Sequence, residues 1–194
     1  MARILFSICV LIILTLILAP STSQRLMASY DLVILGGTPG GIMAAVAASR
    51  VSKGKAKILL LERTAHIGGL PANGLGATDI ATRGATAGLF QEFVERVRQH
   101  YVDTYGAGSK QVVDSSNGHH FEPKVAQKVL QGFLDEVAGS VDVLLGRQFD
   151  SQQMYAKVSD GKLRRIRVLN RSSYREEWYR GKVCSSRTFL ETGS

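Results

Sequence analysis

Asp31-Leu32-Val33-Ile34-Leu35 is a short aliphatic run. It breaks on Gly36-Gly37-Thr38-Pro39-Gly40-Gly41 and passes at once into Ile42-Met43-Ala44-Ala45-Val46-Ala47-Ala48-Ser49-Arg50. A partly β-branched run of that length, apolar throughout, reads as a buried parallel strand. The alanine-rich stretch reads as a helix whose small side chains let it lie close against a sheet. Lys57-Ile58-Leu59-Leu60-Leu61 then gives a second strand, closed by Glu62. Strand, glycine turn, helix, strand and terminal acid in this order form the layout of a dinucleotide-binding βαβ unit and place the chain in the α/β class.

Each part has a physical reason. Glycines permit the tight turn and let the backbone approach a pyrophosphate. The N-terminus of the helix offers free N–H groups and a positive dipole end to the phosphates. Glu62 lies about 20 residues beyond Gly41, the distance at which an acid receives the ribose hydroxyls of the adenosine. Against the pattern G-x-G-x-x-G, Gly36 and Gly41 hold the first and third places and Thr38 takes the second, where its hydroxyl can donate to a phosphate. Pro39 sits at the helix start, where proline is favoured. After Glu62 the chain reads Arg63-Thr64-Ala65-His66-Ile67-Gly68-Gly69-Leu70. In plain nicotinamide enzymes the second strand usually leads straight into another helix. Here it leads into a glycine-bearing loop that can run under an extended cofactor and present backbone N–H groups to it.

Composition narrows the alternatives. With 194 residues the chain is long enough for one domain with a real core, and too short for two full ones. The formal net charge of +8 raises the question of a polyanion partner. Many of the cations, among them Lys162, Arg164, Arg165, Arg167, Arg171, Arg175, Arg180, Lys182 and Arg187, fall in a late stretch with strand-like alternation. They read as the solvated face of a hairpin, and no nucleic-acid partner is expected. The two cysteines are Cys9 and Cys184. Loss of the N-terminus leaves one, so no intrachain disulfide forms. His119-His120 lacks metal-ligand spacing, so no metal is expected; a loop or cap role is read there, with a general base as the alternative. His66 reads as a loop residue near the cofactor.

Met1-Ala2-Arg3 is a short basic start, Ile4 to Ala19 is almost continuously apolar, and Pro20-Ser21-Thr22-Ser23-Gln24 is small and polar. This three-part pattern is that of a secretory signal peptide over residues 1–23, with an uncleaved membrane anchor as the rival. In an extracellular or luminal setting Asn170-Arg171-Ser172 is a usable glycosylation sequon.

On these motifs, the segment from Tyr30 to about Val183 resembles the FAD-dependent oxidoreductases of the glutathione-reductase-like superfamily. It looks closest to the branch whose members begin with a Gly-Gly-Thr-Pro turn. The matching residues are Val33 to Gly41, Leu61-Glu62-Arg63, His66-Ile67-Gly68-Gly69 and Asn73-Gly74-Leu75-Gly76-Ala77-Thr78-Asp79. The resemblance implies FAD as cofactor and a small organic substrate. Gly36, Gly37, Thr38, Pro39, Gly40 and Gly41 would hold the pyrophosphate, and Glu62 the adenosine ribose, with Arg63 near the adenine. Gly68, Gly69 and Leu70 would line the phosphate and ribityl side. No catalytic residue is assigned.

The fold expected is therefore α/β: a Rossmann-like FAD/NAD(P)-binding domain over residues 28–183, with a parallel sheet, flanking helices and a β-meander. Leu89, Phe90, Phe93, Val94, Val97 and Tyr101 recur at helical spacing, and a second amphipathic helix follows Pro123. Val141 to Leu145 reads as another buried strand, Met154–Val158 and Leu163–Asn170 as a hairpin, and Trp178–Val183 as a further strand. The family's chain usually runs on from that strand into an apolar segment and a turn back to the cofactor. Residues 184–194 are a polar tail without such a turn, so the domain reads as incomplete at its C-terminus. Three readings stay open: a flavin oxidoreductase, an inactive cofactor-binding fragment, and a nicotinamide-dependent dehydrogenase.

Overall fold

The computed structural model describes residues 28–80, 82–150, 156–159 and 162–185. The apolar leader, Met154 and the stretch from residue 186 onward lie outside them. In chain order the elements are β1 (Ser29–Leu35), α1 (Pro39–Val51), β2 (Ile58–Leu61), α2 (Gly88–Tyr105), α3 (Lys110–Asp114), α4 (Pro123–Asp135), β3 (Val141–Leu144), β4 (Arg147–Phe149), β5 (Ala156–Ser159), β6 (Lys162–Asn170) and β7 (Arg175–Ser185). Short 3-10 turns occur at Leu70–Ala72, Arg83–Ala85 and Ser116–Gly118.

The strands form one seven-stranded sheet in the order β3-β2-β1-β7-β6-β4, with β5 paired to β6. β3, β2, β1 and the second half of β7 are parallel. The first half of β7 pairs antiparallel with β6, as do β4 and β5. β7 thus joins a parallel sheet to a meander. The apolar runs of β1 and β2 are explained by burial on both faces. On one face Ile34, Ile58 and Leu60 pack with Ile42 and Val46 of α1, Phe93 and Val97 of α2, and Leu130 and Phe133 of α4. On the other, Val33, Leu35, Leu59 and Leu61 pack with Ile166, Val168 and Tyr179 of the meander. No described helix is long and apolar enough to cross a membrane.

Two expectations need correction, the buried strand at Val141 and the usable sequon at Asn170. The strand at Val141 is the edge of the sheet rather than a buried strand: only Val141 is buried, Asp142 is exposed, and Leu145 lies beyond the strand at 38% exposure. A partner on one side alone cannot cover it. The chain after Ser109 forms the short helix α3, capped by the Ser109 hydroxyl, which accepts from the N–H of Val112. The sequon asparagine, Asn170, is buried. Its Nδ2, the atom a glycan would occupy, donates to Glu177 Oε1 at 2.8 Å, and its Oδ1 accepts from the N–H groups of Ser172 and Ser173. The sequon therefore builds the β6–β7 turn, and its side-chain amide is engaged in the fold. β7 runs through Cys184 and Ser185.

One ionic network ties the helices together. Arg50 of α1 pairs with Glu92 at 2.7 Å and with Glu136 at 3.1 Å. Arg96 of α2 pairs with the same two carboxylates and lies 3.9 Å above the centre of the buried Phe133 ring. Hydrogen bonds from Arg50 and then Arg96, opposed by burial, lower the Glu92 pKa from 4.5 to about 2. The Arg96 contact, first among the same kinds of cause, lowers Glu136. A depressed carboxylate pKa contributes stability that is fully present above the unfolded value and is lost as pH falls through the folded one. Denaturation midpoints are therefore expected to fall between about pH 4.5 and 2, and Glu92→Gln to flatten that part of the profile. An unchanged slope in the variant would show that the network does not couple to folding.

Candidate functional site

The site lies where β1 and β2 end and α1 begins. Thr38 is the N-cap of α1, in extended backbone, and its Oγ1 accepts from the N–H of Gly41 at 3.3 Å. That bond uses an oxygen lone pair and leaves the hydroxyl proton free to donate outward, as expected for a residue in the second glycine place. Pro39 is at the helix start. It has no N–H, and that of Gly40 has no partner within the helix. The first turn of α1 contains no acidic residue, so its positive end is not neutralised by its own side chains. A Cβ built on Gly40 would meet nothing nearer than Thr38 Oγ1 at 3.9 Å, which leaves open space above the helix end. Open space, a free N–H and the dipole together fit a phosphate.

Glu62 is buried beside this turn. Its Oε2 accepts from the N–H of Gly37 at 2.7 Å, and its Oε1 accepts from the N–H and the hydroxyl of Thr64 at 2.7 and 2.8 Å. The Gly68-Gly69 loop is bonded to the same turn: the N–H of Gly68 donates to Gly37 O at 2.7 Å. Gly68 has φ +100, and a Cβ there would lie 2.7 Å from Ala72 Cβ, so glycine is required on both grounds. Gly69 lies against Thr38 and Pro39, and its carbonyl accepts from Asn73 Nδ2. The structure thus brings Gly36 to Gly41, Glu62, Gly68 and Gly69 into one patch. Arg63 is exposed, and its carbonyl receives Arg171 Nη1 at 3.4 Å. Leu70 is 73% exposed and opens the first 3-10 turn. The chain leaving β3 runs beside Glu62, with Glu62 N–H bonded to Leu144 O, Gly146 N–H to Thr64 O and Arg147 N–H to Glu62 O.

Beside Gly40 opens an apolar cavity of about 370 Å³, walled by Pro39 and Met43, by Leu75 and Thr78, and by Phe90 and Phe121. The third sequence motif, Asn73 to Asp79, therefore forms a cavity wall. His119 explains how that wall is held. It is buried, its Nδ1 is 2.9 Å from Thr78 Oγ1, and its carbonyl accepts from the N–H of Thr78. His120 bridges to Ala77. The histidine pair thus holds the loop of Ala77 and Thr78. His66 is exposed. Sequence reasoning missed Thr64, although a threonine two residues after the acid is a local signal, since such hydroxyls bond to neighbouring groups in loops. No described trio of His, Cys, Asp or Glu is grouped as a metal site would require.

An α/β domain with an open helix N-terminus after the first strand, a buried acid closing the second and a second glycine loop has the architecture of a Rossmann-type FAD-binding protein. The family described as FAD dependent oxidoreductase matches residues 31–184, and the chain belongs to it. FAD is the cofactor of that family, and the backbone donors, the space above Gly40 and the acid Glu62 fit it. No curated protein matches the chain. Among solved structures, the fold is shared with a 3-ketosteroid-delta4-(5alpha)-dehydrogenase from Rhodococcus jostii at TM-score 0.52 and 15% identity, over 86% of this chain and 47% of that one. It is shared also with the myxobacterial chondrochloren halogenase CndH at TM-score 0.50 and 16% identity, over 84% of this chain and 38% of that one. The chain spans less than half the length of either.

Proposed function

We propose that this chain is the cofactor-binding part of a flavin-dependent oxidoreductase of the glutathione-reductase-like superfamily, acting on a small organic substrate in the secretory pathway. The observation that carries the reading is the convergence of the Gly36–Gly41 turn, Glu62 and the Gly68–Gly69 loop, joined by the hydrogen bonds at Gly37. In it, the N–H of Gly40 and the Thr38 hydroxyl bind the pyrophosphate, and Glu62 receives the adenosine ribose. The apolar cavity beside Gly40 takes uncharged ring surface and keeps water from it. Bound FAD supplies a two-electron acceptor for hydride, and the protein's part is to hold and orient it. The apolar run from Ile4 to Ala19 supports export.

The test is to purify the full chain, add FAD, desalt it and record the visible spectrum. Flavin bands that co-elute with the protein are expected. A colourless protein that instead binds NAD tightly would overturn the reading.

A further inference from the structure

Thr64 is exposed, outside every motif that marks the site, yet it makes two of the three hydrogen bonds to the Glu62 carboxylate. We propose that Thr64 is a positioning residue that sets which face of Glu62 is offered to the adenosine ribose. The inference rests on the reading of Glu62 as the ribose acceptor.

An ionised carboxylate has about four acceptor positions, two on each oxygen. The N–H and the hydroxyl of Thr64 fill both on Oε1. Oε2 holds one bond, from Gly37 N–H, so a single position remains, and it is on the oxygen beside the glycine turn. The carboxyl torsion of a glutamate is broad and soft, so without such bonds the group turns freely. The two Thr64 donors remove that freedom.

The same hydroxyl lies 2.8 Å from His66 O and accepts from His66 N–H at 3.2 Å. Its one proton goes to the Glu62 carboxylate, the stronger of the two acceptors within reach, rather than to His66 O. Thr64 therefore also joins the acid to the loop that leads to Gly68, whose N–H is bonded to the glycine turn. The acid end of this loop is thus fixed through Thr64, and its glycine end through the backbone bond of Gly68 to the turn.

The test uses the full chain with two probes, ADP and 2′,3′-dideoxy-ADP, titrated into wild type, Thr64→Val and Thr64→Ser. Wild type is expected to prefer ADP by about tenfold or more, the scale of one hydrogen bond to a charged acceptor. Thr64→Val keeps the shape and loses the hydroxyl, so the preference should shrink to about twofold while dideoxy-ADP binds as before. Thr64→Ser should restore it. Equal weakening of both probes in Thr64→Val would overturn the proposal and make the residue a general support of the loop. An undiminished preference in Thr64→Val would overturn it as well. A wild type that does not distinguish the probes would instead remove the Glu62 reading, and the Thr64 role with it.

Discussion

Gly41→Ala is expected to destabilise the domain by about 3 kcal/mol or more, a fall in Tm of roughly 6–12 °C for a domain of this size. A Cβ at Gly41 would lie 1.9 Å from the carbonyl oxygen of Gly36. That neighbour is backbone, in the turn itself, and cannot swing aside. Either α1 backs away from β1 or the turn opens, and both separate the helix end from Gly37 and Glu62, so FAD affinity falls with stability. Gly40→Ala supplies the contrast one residue earlier. Its Cβ meets only Thr38 Oγ1, at 3.9 Å, and alanine favours a helix over glycine by up to about 1 kcal/mol. The fold should hold or gain slightly while the new methyl occupies the space assigned to a phosphate, so FAD affinity is expected to fall about tenfold or more with Tm unchanged. Thermal unfolding and FAD titration on the two variants check the pair. A Gly40→Ala protein that binds FAD as tightly as wild type would remove the phosphate from the helix end.

Much of this was legible in the sequence because it depends on local chemistry. The glycine turn, Pro39 at the helix start and the acid at the end of β2 each have a steric or electrostatic reason that acts within a few residues, and the structure places all three together. The helices at Leu89 and after Pro123 followed from their 3.6-residue period. What escaped was set by contacts distant in sequence. Val141 to Leu144 is apolar enough for a central strand, and only the sheet order makes it an edge. Asn170 fits the glycosylation pattern, but its amide is bonded to Glu177 on the neighbouring strand, a pairing that the triplet does not encode. Thr64 went unremarked because its importance lies in where the Glu62 carboxyl turns, a side-chain torsion without a sequence period.

Replacing Glu62 is expected to weaken FAD binding about 100-fold as alanine, and at least about tenfold as glutamine. Alanine removes the acceptor for the N–H groups of Gly37 and Thr64 as well as the proposed contact to the ribose. An unsatisfied buried donor costs about 1–3 kcal/mol and a hydrogen bond to a charged group contributes about 1.5–3 kcal/mol. Part of the first loss falls on folding and is seen in the unfolding midpoint; the ribose share, near 2.8 kcal/mol at 100-fold, is seen in affinity. Glutamine is the sharper probe because its volume is almost the same. Its oxygen can face Gly37 N–H or Thr64 N–H, but not both, so its NH2 always meets a donor. A second ligand locates the damage. On the proposed assignment inorganic pyrophosphate would meet only the helix end, so its affinity should survive Glu62→Gln and drop in Gly40→Ala, while ADP should be weakened by both. If Glu62→Gln bound FAD and ADP like wild type, the acid would be only a brace for the glycine turn, and the ribose would have to be held elsewhere. If pyrophosphate binding fell with it, the carboxylate would act by shaping the Gly36–Gly41 turn, since Oε2 reaches that turn directly through Gly37 N–H.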